Sequence, residues 1–236
     1  MARVAGGITS TGTELESSLP VIQLTTAGSL ISTANDDVAR LRARFAHAQC
    51  MLLPRLIEPG LLRTIQRRID ESAFVPFVSD GIGDDLNLAD PLTINLLFLL
   101  TNDPPFLQIM REVTGCIEID SYQGRVYRMY PDLRHTDSWH DDMSENRMVG
   151  MSLNLSTTAF EGAAFQLRDR TSNQILYEVA NTGSGDAIIF RLAGHLQHRN
   201  TELTGSVQKT AFAGWFRSHQ PAYYSQIRSR RSATTL

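Results

Sequence analysis

The chain has 236 residues, a charged fraction of 20% and a formal net charge of −3. Its length fits one main domain, because domains typically span about 100–200 residues. So weak a charge gives no electrostatic footprint for DNA, RNA or an anionic membrane surface, and a small-molecule or peptide partner is expected instead. The sequence leaves the oligomeric state open.

The cysteine content predicts the cellular compartment of the protein, and the polar ends of the chain predict the limits of its domain. Cys50 and Cys116 are too few for a disulfide framework, and the sequence shows neither a run of about 18 apolar residues nor a secretory signal core. These features predict a cytoplasmic protein with no membrane partner. Residues 1–18 and 223–236 are polar, so we expect two tails around a single domain at 19–222.

Apolar residues in the first half of the chain recur at helical spacing. They share one helical face at 38–45 and again at 61–69. Two further helices are predicted to begin at the Asp-Pro pairs 90–91 and 103–104, because Asp caps a helix and Pro suits its first turn. The Gly- and Asp-rich segment 78–90 predicts a loop, either a plain connection or the border of a substrate entrance.

From about residue 117 the apolar period changes from helical to twofold, which is typical of β-strands. Helices followed by many short strands indicate an α+β fold, with helices flanking a β-sandwich or jelly-roll core. The predicted strands are centred on 117–119, 126–130, 151–155, 165–167, 175–179, 187–190 and 210–216.

Histidine and aspartate concentrate in two segments, RHTDSWHDD at 134–142 and GHLQHRN at 194–200. On an extended strand, a His-x-Asp pair points both side chains to one face, because side chains alternate. A histidine from a distant strand, His195 or His198, would complete two imidazoles and one carboxylate. That facial ligand set is typical of non-haem iron(II) oxygenases.

The first segment contains two His-x-Asp pairs, His135/Asp137 and His140/Asp142. If the segment is continuously extended, the odd separation of the two histidines places the pairs on opposite faces. Only one pair can then bind a given ion.

The sequence from about Tyr122 to Phe216 resembles the prolyl-hydroxylase-like branch of the 2-oxoglutarate- and iron(II)-dependent oxygenases. The resemblance selects His140, Asp142 and His198 as the metal ligands. The motifs that carry it are Tyr130-Pro131 ten residues before a His-x-Asp pair, WHDD at 139–142, Arg147 before Leu153-Asn154, EGAAFQL at 161–167, and GDAIIF at 185–190, eight residues before the distal histidine.

The same resemblance implies a double-stranded β-helix core, Fe(2+), 2-oxoglutarate as cosubstrate, and ascorbate as a possible addition. Lys209 stands where the family has a basic residue that binds the far carboxylate of 2-oxoglutarate, and Tyr130 is the expected second contact. Strand alternation also puts Lys209 on one face with Ala211 and Ala213, whose small side chains leave room for a cosubstrate. A buried ammonium there needs an anion.

The function implied is that of a dioxygenase that hydroxylates an amino acid, peptide or small natural product and releases succinate and CO2. Asp142 favours hydroxylation, because related halogenases replace this carboxylate with a small residue. The alternative is a non-catalytic, cupin-like module that holds a metal or another ligand. Structural zinc is disfavoured by the lack of cysteine near the histidines. The substrate, the oxidative outcome and the roles of His135 and Asp137 stay open.

Overall fold

The computed structural model describes residues 20–32, 35–79, 83–131, 138–144, 146–180 and 182–218. The helices in these ranges are α1 (Asn35–Ala48), α2 (Pro59–Asp70), α3 (Pro91–Thr101) and α4 (Pro104–Thr114). The strands are β1 (Ile22–Thr25), β2 (Gly28–Ile31), β3 (Cys50–Leu53), β4 (Phe74–Ser79), β5 (Gly83–Leu88), β6 (Ser121–Met129), β7 (Arg147–Asn154), β8 (Glu161–Gly162), β9 (Phe165–Asp169), β10 (Ile175–Val179), β11 (Ala187–Arg191), β12 (Leu196–Asn200), β13 (Leu203–Thr204) and β14 (Lys209–Arg217).

Two antiparallel sheets form the β core. The large sheet has seven strands in the order β3-β11-β7-β14-β6-β5-β4, and the small sheet has three in the order β10-β9-β12. Buried residues of β9 and β12 pack against β3 and β11, so the sheets face each other. The predicted α+β fold with helices flanking a jelly-roll core is confirmed. No helix in the described ranges is long and apolar enough to span a membrane.

Aromatic packing fixes the centre of the large sheet against the helices. Tyr122 of β6 contacts Phe212 and Phe216 of β14, with ring centroids 5.4 and 4.8 Å apart, and Phe106 of α4 lies 5.9 Å from Phe216. All four rings are buried. Large apolar side chains contribute most of the stabilisation of such a core. This packing therefore holds β14 firmly from its helix-facing side.

The other face of β14 is turned toward the small sheet. Lys209 and Ala211 alternate with the helix-facing aromatic residues, and β14 pairs with β6 on one side and β7 on the other. The predicted central position of this strand is confirmed. The inward-facing side chains of β14 therefore stand on the central strand of the large sheet.

Helix ends follow the sequence signals. The Asp90 carboxylate accepts hydrogen bonds from the backbone N–H groups of Leu92 and Thr93, which caps α3 just before Pro91. Gly115 ends α4 with φ of 70°, a left-handed conformation that glycine adopts without steric cost. The predicted starts of α3 and α4 are confirmed, but the Asp103 side chain does not cap α4 and instead accepts a hydrogen bond from the backbone N–H of Ser29.

The first half of the chain is less helical than its sequence predicts, because five strands lie among the helices. The loop predicted at 78–90 is wrong in particular, since β4 and β5 pair there as antiparallel strands at the edge of the large sheet. Strand β5, GDDLNL, has little apolar alternation, and its pairing with β6 is a long-range contact that local sequence does not reveal. The predicted tails, 1–18 and 223–236, lie outside the described residues.

Gly150 of β7 makes room for the ring of Phe190, and this generates a stability prediction. A Cβ atom at Gly150 would lie 2.1 Å from Phe190 Cζ, whereas one at Gly194 would meet nothing within 4 Å. Gly150→Ala should therefore lower the free energy of unfolding by about 1–3 kcal/mol through overpacking. The melting temperature should fall by about 2–4 °C for each kcal/mol. Thermal unfolding with Gly194→Ala as control checks this, and equal stability of the two variants would contradict it.

Candidate metal centre

Three side chains converge on one point beside the small sheet. Asp142 Oδ2 lies 3.3 Å from His198 Nε2 and 3.8 Å from His140 Nε2. One donor atom from each residue lies within 4.8 Å of the other two, and no other group of three such donors occurs in the part of the chain that is described. The predicted ligands His140, Asp142 and His198 are therefore brought together.

Backbone hydrogen bonds hold the two histidines side by side. The N–H of His140 donates to the carbonyl of His198 at 3.1 Å, and the N–H of His198 donates back at 2.8 Å. This antiparallel bridge places the two imidazole centroids 4.3 Å apart. The rings of Phe190 and Phe165 lie 4.5 and 6.0 Å from that of His198 and form an apolar wall behind it.

A second contact fixes the tautomer of His140. Its Nδ1 lies 2.7 Å from the carbonyl oxygen of Ser138. Because a carbonyl oxygen only accepts hydrogen bonds, the proton belongs on Nδ1 and the lone pair on Nε2. The nitrogen that faces Asp142 is thus free to bind a cation, as in metal-binding histidines whose other nitrogen is hydrogen-bonded.

Asp142 reaches the histidines through a turn and not along a strand. Its φ of 54° is a left-handed conformation that is uncommon outside glycine, although Asp tolerates it better than most residues. The strand-alternation argument for His140 and Asp142 is therefore wrong, although the two side chains do converge. The chain leaves the extended conformation directly after the His140 bridge.

Two residues outside the predicted ligand set contact Asp142. The Trp215 indole Nε1–H donates to Oδ2 at 3.0 Å. Arg147 Nη1 donates to the Asp142 carbonyl at 3.2 Å and lies 3.6 Å from Oδ1, with its guanidinium 3.5 Å from the centre of the Trp215 ring. The sequence gives no motif for the Trp215 contact, because it joins residues that are far apart in the chain.

The environment of Asp142 keeps its carboxylate charged. Burial raises its pKa, but the hydrogen bond and charge of His198, the charge of His140 and the Trp215 bond outweigh burial and lower the pKa below its usual value when the two imidazoles are protonated. The carboxylate is therefore ionised at neutral pH. An ionised carboxylate among nitrogen donors suits a divalent cation.

The donor set fits an iron(II) site better than a structural zinc site. Neighbouring ligands about 2.1 Å from an octahedral ion lie about 3 Å apart, close to the 3.3 and 3.8 Å separations from Asp142 Oδ2. Structural zinc sites are closed by four ligands and rich in cysteine, whereas this group has three ligands. Two imidazoles and one carboxylate with open positions match the non-haem iron(II) oxygenase arrangement.

Lys209 begins β14, and its side chain contacts β12, the strand that carries His198. It is only 6% exposed, and its Nζ donates to Asn200 Oδ1 at 3.3 Å and to the Ala163 carbonyl at 3.4 Å. Asn200 follows His198 by two residues on β12 and shares its face, so it lies about 6–7 Å along the strand. The ammonium is thus hydrogen-bonded to the strand that carries His198, two residues beyond that histidine.

Tyr130 is not brought to Lys209. Lys209 pairs with Met129, the last residue of β6, and Tyr130 lines a surface cavity together with Arg128. Tyr130 follows Met129 by one residue and so lies past the position that pairs with Lys209, and its contact with the cosubstrate stays a prediction. Tyr127, two residues before Met129, is the buried tyrosine on the Lys209 face.

No protein-family model matches this chain, and no curated protein matches it. Solved structures do match. A prolyl-4-hydroxylase from Pseudomonas putida aligns with a TM-score of 0.58 at 15% identity, covering 78% of this chain and 100% of that one. A 2OG-Fe(II) oxygenase family oxidoreductase from Burkholderia pseudomallei aligns with a TM-score of 0.56 at 16% identity, covering 84% and 96%.

A third match is the non-haem α-ketoglutarate-dependent epimerase SnoN from nogalamycin biosynthesis, with a TM-score of 0.54 at 12% identity, covering 77% of this chain and 83% of that one. The chain has the 2-oxoglutarate oxygenase fold. The resemblance seen in the sequence is thereby confirmed for the fold.

The other candidate residues that the structure describes are not members of the donor group. His195 is exposed in the turn before β12 and is not part of the donor group. Trp139 is held between the guanidinium groups of Arg168 and Arg199, 4.2 and 4.5 Å from its ring centre. His135 and Asp137 lie outside the described residues.

The donor group predicts which variants lose metal. His140→Ala, Asp142→Ala and His198→Ala each remove one of only three ligands, so each should abolish stoichiometric iron(II) binding without unfolding the protein. His195→Ala is the matched control and should keep the metal, as should the His135→Ala and Asp137→Ala variants. Iron stoichiometry and circular dichroism decide the matter. Loss of iron in His195→Ala with retention in His198→Ala would show that His195, and not His198, is the distal ligand.

Proposed function

We propose that the protein is an iron(II)- and 2-oxoglutarate-dependent dioxygenase. Its reaction would hydroxylate an amino acid, a peptide or a small natural product and release succinate and CO2. The observation that carries the proposal is the group of His140, Asp142 and His198 with buried Lys209 beside it, inside the oxygenase fold. A similar structure, that of SnoN, is described as a complex with Fe3+ and α-ketoglutarate.

The three ligands would hold the ion on one side only. His140 and His198 offer neutral imidazole nitrogens and Asp142 offers a negative oxygen, which leaves the remaining coordination positions open. Bound iron(II) supplies the activation of dioxygen that oxidation of a C–H bond requires. The side chains of His140 and Asp142 are 24% and 18% exposed, so the opening for a substrate lies on their side.

Lys209 would bind the far carboxylate of 2-oxoglutarate. It is the only lysine in the chain, where the other 21 of the 22 basic residues are arginines. An ammonium is a compact point charge, whereas a guanidinium is a larger planar fork, so a narrow buried site favours lysine. Asn200 would position the ammonium through the bond that its Oδ1 accepts.

The walls of the site would strengthen these charge interactions. Phe165 and Phe190 pack behind His198, and Ala211 and Phe160 are buried near Lys209. Apolar walls exclude water, and an ion pair is stronger in a medium of low dielectric constant. A cosubstrate carboxylate would therefore be held more firmly here than at the surface.

The alternative is a non-catalytic, cupin-like module that holds a metal or ligand. A measurement of succinate formation from 2-oxoglutarate with iron(II), ascorbate and oxygen separates the two functions. The oxygenase should form succinate faster when a matching amino acid, peptide or small metabolite is added, and His198→Ala should show no such stimulation. Equal succinate formation by the parent protein and His198→Ala across the whole panel would favour the non-catalytic module.

Substitution of Lys209 tests the cosubstrate site separately from the metal site. Lys209→Ala should raise the Michaelis constant for 2-oxoglutarate about tenfold to a hundredfold, since charge-assisted hydrogen bonds contribute about 1.5–3 kcal/mol. Iron binding should be unchanged because the three ligands remain. Lys209→Arg should restore affinity only in part. An unchanged Michaelis constant in Lys209→Ala would remove Lys209 from the cosubstrate site.

A further inference from the structure

We propose that Trp215 and Arg147 form one positioning unit that holds Asp142 so that a single carboxylate oxygen, Oδ2, is presented to the metal. The inference rests on the proposed function, because it concerns how that metal site is held. Neither residue is offered as a ligand. Both would act on the metal only through Asp142.

The first support is the hydrogen bond from Trp215. Its indole has one donor and no acceptor, and that donor is directed at Asp142 Oδ2 at 3.0 Å. The same oxygen faces Nε2 of His198 and Nε2 of His140, at 3.3 and 3.8 Å. Oδ2 is therefore the carboxylate oxygen at the centre of the site, and the indole fixes its position.

The second support is the placement of Arg147 on the other oxygen. Its Nη1 lies 3.6 Å from Oδ1 of Asp142, whereas the two histidines approach Oδ2. The guanidinium stacks on the Trp215 ring at 3.5 Å, so the two positioning side chains also fix each other. Oδ2 is thus directed to the two histidines, and Oδ1 is directed toward the Arg147 guanidinium.

The third support is the backbone of Asp142. Its φ of 54° is a conformation that a non-glycine residue keeps only when surrounding contacts hold it there. Arg147 donates to the carbonyl of this same residue at 3.2 Å. The turn that brings Asp142 back toward the histidines is therefore held by the residue that also lies beside its carboxylate.

Both positioning residues stand on the central strands of the large sheet. Trp215 is on β14 and Arg147 begins β7, and these two strands pair with each other. Asp142 itself lies in a segment without strand pairing apart from the bridge at His140. The unit thus connects the packed large sheet to Asp142, the only one of the three donors that has neither strand nor bridge pairing of its own. Removal of a residue that orients a metal ligand typically weakens metal binding by about 10–100-fold.

The chain offers a matched pair of variants, because Trp139 and Trp215 are its only two tryptophans. Trp215→Phe keeps a ring for Arg147 but removes the N–H donor, whereas Trp139→Phe leaves all contacts of Asp142 in place. We expect cobalt(II) affinity, measured by anaerobic calorimetry on the full chain, to fall about 10–100-fold in Trp215→Phe and not in Trp139→Phe. The visible spectrum of bound cobalt, which reports its coordination, should change only in Trp215→Phe.

A second measurement covers the case in which Trp215→Phe fails to fold. The sulfur analogue of tryptophan, benzothienylalanine, keeps the shape of the ring but lacks the N–H, and in the Trp139→Phe background it changes position 215 alone. The same loss of cobalt affinity, with unchanged circular dichroism, supports the positioning role.

Equal cobalt affinity and an equal cobalt spectrum with and without the N–H would overturn the positioning role while leaving the proposed function intact. If the unaltered protein itself bound neither cobalt(II) nor iron(II), the proposed function would fail first and the positioning role with it. Metal binding by the unaltered protein therefore distinguishes the two failures.

Discussion

Two backbone hydrogen bonds between His140 and His198 join the segment before β7 to the edge of the small sheet. They set the distance between the two imidazoles, and they place the next residues where a single turn returns Asp142 to the same point. Without this bridge the segment has no pairing partner in the described structure that would hold His140 beside β12. The convergence of the donor group therefore starts from a backbone contact.

The inward face of β14 joins the metal centre to the core of the protein. On one face of the strand, Phe212 and Phe216 pack against Tyr122 and the helices, and on the other face stand Lys209 and Trp215. Because side chains alternate along a strand, core packing on the helix side fixes both inward residues. Cosubstrate binding and carboxylate positioning would then share one rigid support, which suits a site in which small displacements weaken binding.

Sequence pattern predicted the convergence of the three donor residues and the layers of the fold better than it predicted local geometry. His140, Asp142 and His198 follow from residue type and resemblance, and the central position of β14 follows from its aromatic residues. The left-handed backbone of Asp142 could not be predicted, because a positive φ is uncommon outside glycine and tertiary contacts, not local sequence, hold it here. Met129 and not Tyr130 pairs with Lys209, a register that the sequence does not reveal because a shift of one residue in a strand reverses the face of a side chain. Strands β4 and β5 were missed because the pairing of β5 with β6 and of β4 with β5, and not apolar alternation, holds them in the sheet.

The most direct test of the account is an anaerobic titration of 2-oxoglutarate into the iron(II)-loaded protein, followed by visible absorption and calorimetry. Iron(II) and 2-oxoglutarate held together by one site should give a weak charge-transfer band that saturates at one cosubstrate per chain. The account predicts this band for the full chain and its absence from His198→Ala. No band and no heat of binding in the iron-loaded protein would contradict the assignment of His140, Asp142, His198 and Lys209 to a single catalytic site.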